Sequence, residues 1–414
     1  MKTGRVFRSA AAGLCALGLG LTVWAAGPAA GAAQRPAANR PAGHAESAAQ
    51  AAQAARTALA AKYKYTLSRI AFTGSRLAIA ATDSHGDLYY FWQKAGTTKW
   101  HKQLIASGSR KQAYSKPAIA WTGTAVVIAT LDKASDLIAY TQHVNTTAWK
   151  RKQVAKASGG KFQNPSIAAG DAGIALISAS STSGSLLSFE LAPGHSNWTR
   201  LTAGFGTFGA SSVIICYDSL ISNYLGLITA TSGGTLYFWW ERLDVTGWHQ
   251  ETVAAPGPSG SFSGGSLAAS NAASHNEIVI TAANSLGGVD AWIQSIGGTG
   301  WSEQTVAAPG SNHYSHPLIA WTGLSVAFPI SYFVITSASQ KGKLAFWWDE
   351  AGSSIWTQET VASAGKHASY ANPAISVTGK STIITAINTK PGDVYFWYQP
   401  YTTNPWHKQL VASG

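Results

Sequence analysis

The chain has 414 residues, 46% hydrophobic and only 12% charged, with 42 Gly, 17 Trp and a formal net charge of +12. So little charge with so many apolar residues excludes a disordered tail, and the Gly and Trp content fits many short aromatic strands joined by tight turns better than long helices. Length alone permits two or three ordinary domains, so the domain count rests on whether the sequence repeats itself.

The first segment is residues 1–32. Lys2, Arg5 and Arg8 precede an uncharged run from Ala10 to Ala26, followed by Pro28 and the small residues Ala30-Gly31-Ala32. The run is long enough to raise a membrane anchor as the alternative, but it is rich in Ala and Gly, contains Pro28 and ends in an A-x-A site, which is the layout of a cleaved secretory signal peptide. Cys15 follows Leu14, not the small residue that lipid attachment needs. The expected product is secreted and extracellular, with no membrane insertion after cleavage. Cys216 is then its only thiol, so no intramolecular disulfide supports the fold and a hydrophobic core must suffice. Its apolar neighbours in SSVIICYD mark it as a buried, inert thiol.

Residues 33–62 form a low-complexity Ala/Pro-rich spacer. Two Arg-Pro dipeptides lead into an Ala-rich stretch with helical propensity and almost no large apolar side chain, so it builds no core.

From residue 63 to 414 the chain repeats. Trp100, Trp149, Trp198, Trp248, Trp301, Trp356 and Trp406 each open a polar stretch ending in an apolar pair, at spacings of 49, 49, 50, 53, 55 and 50 residues. Each copy begins with a segment such as PAIAWTG at Pro117, continues in a β-branched run such as VVIATLD, turns at a Gly or its equivalent, and enters a third run such as LYYFW or LAFWW. Four short strands per copy, seven times over, predict an all-β seven-bladed β-propeller with four antiparallel strands per blade. The third run is apolar at nearly every position, as a sheet covered on both faces requires. Five residues after the turn, every copy places an aromatic ring: Phe91, Tyr140, Phe189, Trp239, Trp292, Trp347 and Trp397. Inter-blade packing is the role expected of these rings. The array starts on a first strand near Ser68 and ends on a fourth strand at Ala412, so closure by exchanging a terminal strand is not expected, although Tyr63 to Thr66 could add a short pairing.

In such a blade the loop between strands two and three and the crossing to the next blade emerge on one face, and those crossings are the variable parts here. Each crossing carries an aromatic three residues before a Pro or its equivalent: Tyr65, Tyr114, Phe162, Phe208, Phe262, Tyr314 and Tyr370. A sugar stacks its C–H face on such a ring while short polar groups hold its hydroxyls. Tyr314 sits beside Asn312, His313 and His316, Tyr370 beside His367 and Asn372, and Tyr114 between Gln112 and Lys116. Tyr65, Tyr114, Tyr314, His316, Tyr370 and Asn372 are therefore the candidate ligand-binding residues. The competing role for the rings is to cap each blade's core. Weak sites of about 1 mM repeated on one rigid ring would gain avidity of ~10²–10⁴, which favours a repetitive ligand.

Charge is uneven. Residues 64–161 hold 15 basic and 4 acidic groups, residues 162–414 hold 8 and 13. An anionic cell-surface polysaccharide would explain this, as would solubility and protection of edge strands. The carboxylates that break the repeat, Glu190, Glu241, Asp290, Asp349, Asp218 and Asp244, are scattered over several copies, and a glycoside hydrolase would need two of them to converge. His101, His249 and His407 follow the repeated Trp, which points to an edge role. No HExxH, CxxC, P-loop or GxSxG constellation is present, so no catalytic, metal or cofactor site is expected.

The pattern N-P-S-I-A…G-x-x-L…G-S-L-x-x-F…W-x-x-L from Asn164 to Leu201, with its six siblings, resembles the tectonin-like and bacterial seven-bladed propeller lectins over roughly Thr66 to Gly414. The resemblance implies glycan binding between blades on one face, without a cofactor. It assigns no site residue, because the turn here is G-x-L-Y-F-W and the edge W-x-x-Q-x-V-A where the family has D-G-x-L-W and G-W-S-x-W. The expected function is multivalent recognition of glycans or a cell-surface polysaccharide by the inter-blade loops, with no nucleic acid as partner. A protein-interaction scaffold is the alternative, and a glycoside hydrolase or lyase a further one.

Overall fold

A computed structural model describes residues 64–414 apart from 110–111, 159, 171–172, 219–222, 244–246, 259, 271–275, 324–330 and 402–404. The expected signal peptide and spacer, Asp244, and the side chain of Asp218 lie outside the described residues. Among the described residues, 28 strands form seven four-stranded sheets, each with strands in sequence order and antiparallel to their neighbours. Blade 1 comprises Tyr65–Phe72, Arg76–Asp83, Leu88–Lys94 and His101–Ala106. Blades 2 to 7 span 115–155, 162–205, 208–254, 262–307, 314–362 and 370–412. The first strand of each blade contacts the first strand of the next, and that of blade 7 contacts that of blade 1, so these strands surround a central channel in a closed ring. This is the seven-bladed propeller that the repeat predicts.

The core lies between blades. Second strands such as AVVIATL and ALISASS are buried throughout, because both faces of each sheet are covered. Third strands alternate their partners: Phe91 packs with Ile383 and Phe396 of blade 7, while Tyr90 packs with Ile128 and Tyr140 of blade 2. Each of the seven joints between blades holds one such apolar cluster.

Two polar devices repeat around the ring. At the outer edge, the repeated Trp reaches the preceding blade. Trp149, Trp301, Trp356, Trp406 and Trp100 donate their indole N–H to Gln103, Glu251, Gln304, Glu359 and Gln409, at 2.9–3.3 Å. In four of these joints a third-strand glutamine, Gln142, Gln294, Gln399 or Gln93, donates to the same acceptor. On the crossing face, the N–H of Tyr65, Tyr114, Phe162, Phe262, Tyr314 and Tyr370 donates to the turn carbonyl of the preceding blade, at Gly392, Gly86, Ser135, Gly234, Gly287 and Gly342. Ring closure uses both: Tyr65 on Gly392, and Trp100 on Gln409. Among the described residues no terminal strand is exchanged between sheets; blade 1 and blade 7 each contribute all four of their own strands.

The turns explain the residues that define the repeat. Asp83 Oδ1 accepts the N–H groups of His85 and Asp87, closing a turn in which Gly86 sits at φ 79°. Blade 2 builds the same turn on Asp132 without the glycine, so Ser135 is held in the left-handed region at φ 64°.

Candidate functional site

The six residues singled out from sequence lie on one face, at the crossings, but they do not form one kind of site. Tyr65, Tyr114, Tyr314 and Tyr370 are only 3–6% exposed. Each stands edge-on to the aromatic of its own third strand: Tyr65 on Phe91, Tyr114 on Tyr140, Tyr314 on Trp347 and Tyr370 on Trp397, with Phe162, Phe208 and Phe262 doing the same on Phe189, Trp239 and Trp292. The seven centroid distances run from 4.9 to 5.9 Å and the interplanar angles from 74° to 88°. The packing puts these rings in the joint cores, the position that the competing, core-capping role expects of them. Three of the hydroxyls are also engaged. Tyr140 donates to Tyr114 at 2.9 Å, Gln358 Nε2 donates to Tyr314 at 3.0 Å, and Lys408 Nζ donates to Tyr370 at 3.0 Å. Burial, with Asp83 and Asp87 nearby, pushes the Tyr65 phenol up.

His316 and Asn372 are the two exposed members. Both occupy a bulge in a first strand, so their side chains sit at the mouth of the central channel. Asn372 Nδ2 donates to the Thr66 carbonyl at 3.0 Å. His316 is held below the ordinary imidazole range, first by loss of water and then by the nearby Arg69 charge.

Open space is found in the joints. One cavity, about 300 Å³, lies between blades 6 and 7 and is walled by Tyr332, Trp348 and Tyr401, with Thr322, Thr382, Glu359 and Gln399 supplying polar groups. Thr322 and Tyr332 flank the turn between strands one and two, and Tyr401 follows the end of a third strand, so this cavity opens on the face opposite the crossings. Tyr332 meets Trp348 edge-on at 5.3 Å, which fixes the angle between the two aromatic walls. Glu359 holds both Gln399 and Trp406, so its carboxylate is fixed before any ligand arrives. A second cavity of about 240 Å³ lies between blades 4 and 5, lined by Pro258, Trp292, Trp301 and Glu303 beside the crossing. Both combine aromatic surface with one carboxylate and lie near the lower end of small-ligand pocket sizes. Reading the crossings alone misses Tyr332, Trp348 and Tyr401; Trp348 matches Trp92, Trp240 and Tyr398 in other copies, so nothing sets it apart, while Tyr332 is the aromatic at a position where the other copies have Arg76, Ala125, Ile174, Leu225, Glu277 and Ser381.

The repeat-breaking carboxylates spread over three joints. Glu190 and Glu241 meet between blades 3 and 4, where burial and then the Glu190 charge push Glu241 up to about 7. Asp290 lies between blades 4 and 5 and accepts from Asn284 Nδ2 at 2.8 Å, and Asp349 between blades 5 and 6; burial raises both. His101, His249 and His407 stack on the cross-strand rings Trp92, Trp240 and Tyr398 at 3.9, 4.1 and 4.8 Å, an edge role. Among the described residues no three His, Cys, Asp or Glu side chains gather into a metal-binding group.

No family model matches the sequence, and no curated protein matches it significantly. Solved structures do. The BP39L lectin of Burkholderia pseudomallei superposes with a TM-score of 0.63 at 14% identity, covering 85% of this chain and 99% of that one. A variant of AofleA from Arthrobotrys oligospora gives 0.51 at 12%, covering 73% and 88%. The lectin of Aleuria aurantia, described as a six-bladed β-propeller with a novel fucose recognition mode, gives 0.50 at 11%, covering 84% and 96%. Bacterial and fungal propeller lectins are thus this chain's structural neighbours, and at these identities the likeness establishes the fold.

Proposed function

We propose that the protein is a carbohydrate-binding, lectin-like propeller that holds sugars in the joints between blades. The observation that carries this reading is the blade 6/7 cavity, where Trp348, Tyr332 and Tyr401 offer ring surface beside a fixed carboxylate, Glu359, and two threonine hydroxyls. A pyranose needs such a pairing of apolar C–H contact and directed hydrogen bonds. Support comes from its structural neighbours, two of which are described as lectins. The tyrosines of the crossings serve by shaping the joints from within, while His316 and Asn372 contribute polar groups at the channel mouth.

One such joint would bind weakly, near 1 mM or about −4 kcal/mol, and two or more occupied joints on one rigid ring would raise avidity by ~10²–10⁴ toward a repetitive glycan. The leader over residues 1–32 fits delivery of this ring outside the cell, where cell-surface polysaccharide is the natural partner. A glycan array probed with the purified chain, beside its Trp348→Ala variant, tests the reading. Selective signal that the variant loses supports it, and a flat array at high protein concentration rules it out.

A further inference from the structure

Four first strands place a side chain in the left-handed region directly before a proline: Lys116, Asn164, His316 and Asn372, at φ 51°, 45°, 50° and 51°. Blade 5 has Gly264 at the same position, at φ 65°. Holding a non-glycine residue there costs about 1–3 kcal/mol, and a bulge at a rim re-aims the side chain it carries. The re-aimed groups follow one another round the channel mouth on the crossing face. Lys116 Nζ donates to Asn164 Oδ1 at 2.7 Å. Gly264 lies so close to His316 that a Cβ on it would come within 3.0 Å of the His316 Cα. Asn372 Nδ2 reaches the Thr66 carbonyl at 3.0 Å.

Below this rim, blade 1 projects Arg69. Its Nη1 donates to the Ser68 carbonyl at 3.1 Å, and among the described residues no carboxylate pairs with it. The seven first strands carry Arg69, Lys116 and His316 as basic groups and, as acid, only Asp218 at the far end of the blade 4 strand. Arg69 and His316 are near enough to repel each other, and removal from water lowers Arg69 to about 10. A guanidinium drawn away from bulk water without a counter-charge is costly, and a planar carboxylate is the anion its fork fits in two parallel hydrogen bonds.

We propose that the channel mouth on the crossing face is a carboxylate-binding site, in which Arg69 and His316 receive the carboxylate of an acidic sugar while Lys116, Asn164 and Asn372 meet its hydroxyls. This site is separate from the joint cavities and does not depend on their binding neutral sugars. A bound carboxylate would favour protonated His316, so binding would take up protons. The charged group facing His316 is Arg69 of blade 1; its rim neighbours, Gly264 of blade 5 and Asn372 of blade 7, are uncharged.

Calorimetric titration of the full chain with sodium glucuronate, with glucose as its neutral twin and inorganic sulfate as a non-planar anion, tests this. Glucuronate is expected to bind without competition from glucose, at least tenfold more tightly than sulfate, and more tightly at pH 5.5 than at pH 7.5. Arg69→Gln should weaken it at least tenfold, and Arg69→Lys less. His316→Asn should remove most of the pH dependence and gives a second variant should Arg69→Gln fold poorly. Absence of glucuronate binding, equal competition by glucose or sulfate, or unchanged titrations in both Arg69→Gln and His316→Asn would overturn the site and leave the joint cavities untouched.

Discussion

Trp406 of blade 7 gives its indole N–H to Glu359 Oε2 of blade 6 at 3.2 Å, and Gln399 Nε2 reaches the same oxygen at 3.0 Å. Glu251 and the glutamines Gln103 and Gln409 fill this acceptor position elsewhere, so the joint needs an oxygen there rather than a charge. Glu359→Gln should therefore change stability by less than about 0.5 kcal/mol. Glu359→Leu strands two donors and should cost about 1–3 kcal/mol. Thermal midpoints read by near-UV circular dichroism check both, and equal loss in the two variants would show that charge holds the joint.

The Tyr140–Tyr114 hydrogen bond, 2.9 Å and buried, gives a cleaner measure of joint energetics. Burial and the Tyr114 hydroxyl both push the Tyr140 phenol above its ordinary value, so it keeps its proton near neutrality. Tyr114→Phe leaves the Tyr140 hydroxyl without that acceptor and should cost about 1–2 kcal/mol, whereas Tyr114→Phe with Tyr140→Phe should cost less than the sum of the singles. A double-mutant cycle by thermal melting reads the coupling, and strict additivity would mean the hydroxyls contribute nothing to each other.

The fold was legible because seven joints impose one pattern seven times: a ring five residues after each turn must fill the joint, whatever the blade, and Phe91 through Trp397 do so. The partners of those rings were half legible. Tyr114 and Tyr370 carry a hydroxyl that reads as a ligand handle, but whether a ring shows its face or its edge depends on the neighbouring blade, which no local window contains. The cavity was hidden for a related reason. Trp348, Glu359, Gln399 and Tyr401 come from two blades, and sequence assigned binding to the crossings, while the blade 6/7 cavity opens on the opposite face. Nothing near Glu251 or Glu359 in sequence shows their role, because their partners, Trp301 and Trp406, lie 50 and 47 residues away.

Trp348 forms a wall of the blade 6/7 cavity and is only half-buried, so removing its ring should cost binding more than stability. Trp348→Ala should weaken glycan binding through this joint by about 10-fold or more, in line with the cost of losing an aromatic anchor. Tyr332→Phe, which keeps the edge-on contact with Trp348, should weaken it less. Titration with a ligand taken from the array decides this. Unchanged affinity in Trp348→Ala with an intact thermal midpoint would place recognition elsewhere on the ring.

Glu241 marks the joint that departs most from the others. It stands where blades 1, 2, 5 and 7 have Gln93, Gln142, Gln294 and Gln399, and it faces Leu201 at the acceptor position of blade 3, so the usual pairing has no partner. Trp248 turns instead to Ser188 Oγ at 3.0 Å, and Glu241, 1% exposed, keeps one oxygen without a partner among the described residues. Its carboxyl is raised from 4.5 to about 7, by burial first and with Glu190 adding to it. A raised acid binds its proton more tightly in the folded state. Ionisation therefore costs no stability below pH 4.5, costs progressively more as pH rises, and reaches its full penalty above about 7. Glu241→Gln should match the native protein near pH 4 and exceed it by roughly 1–3 kcal/mol near pH 8. Adding Leu201→Gln, which restores the acceptor for Trp248, should stabilise the joint further, and Glu190→Gln alone should shrink the gap by removing a like charge. Melting curves from pH 4 to 8 check the series; a difference that stays constant with pH would mean that Glu241 does not titrate in this range.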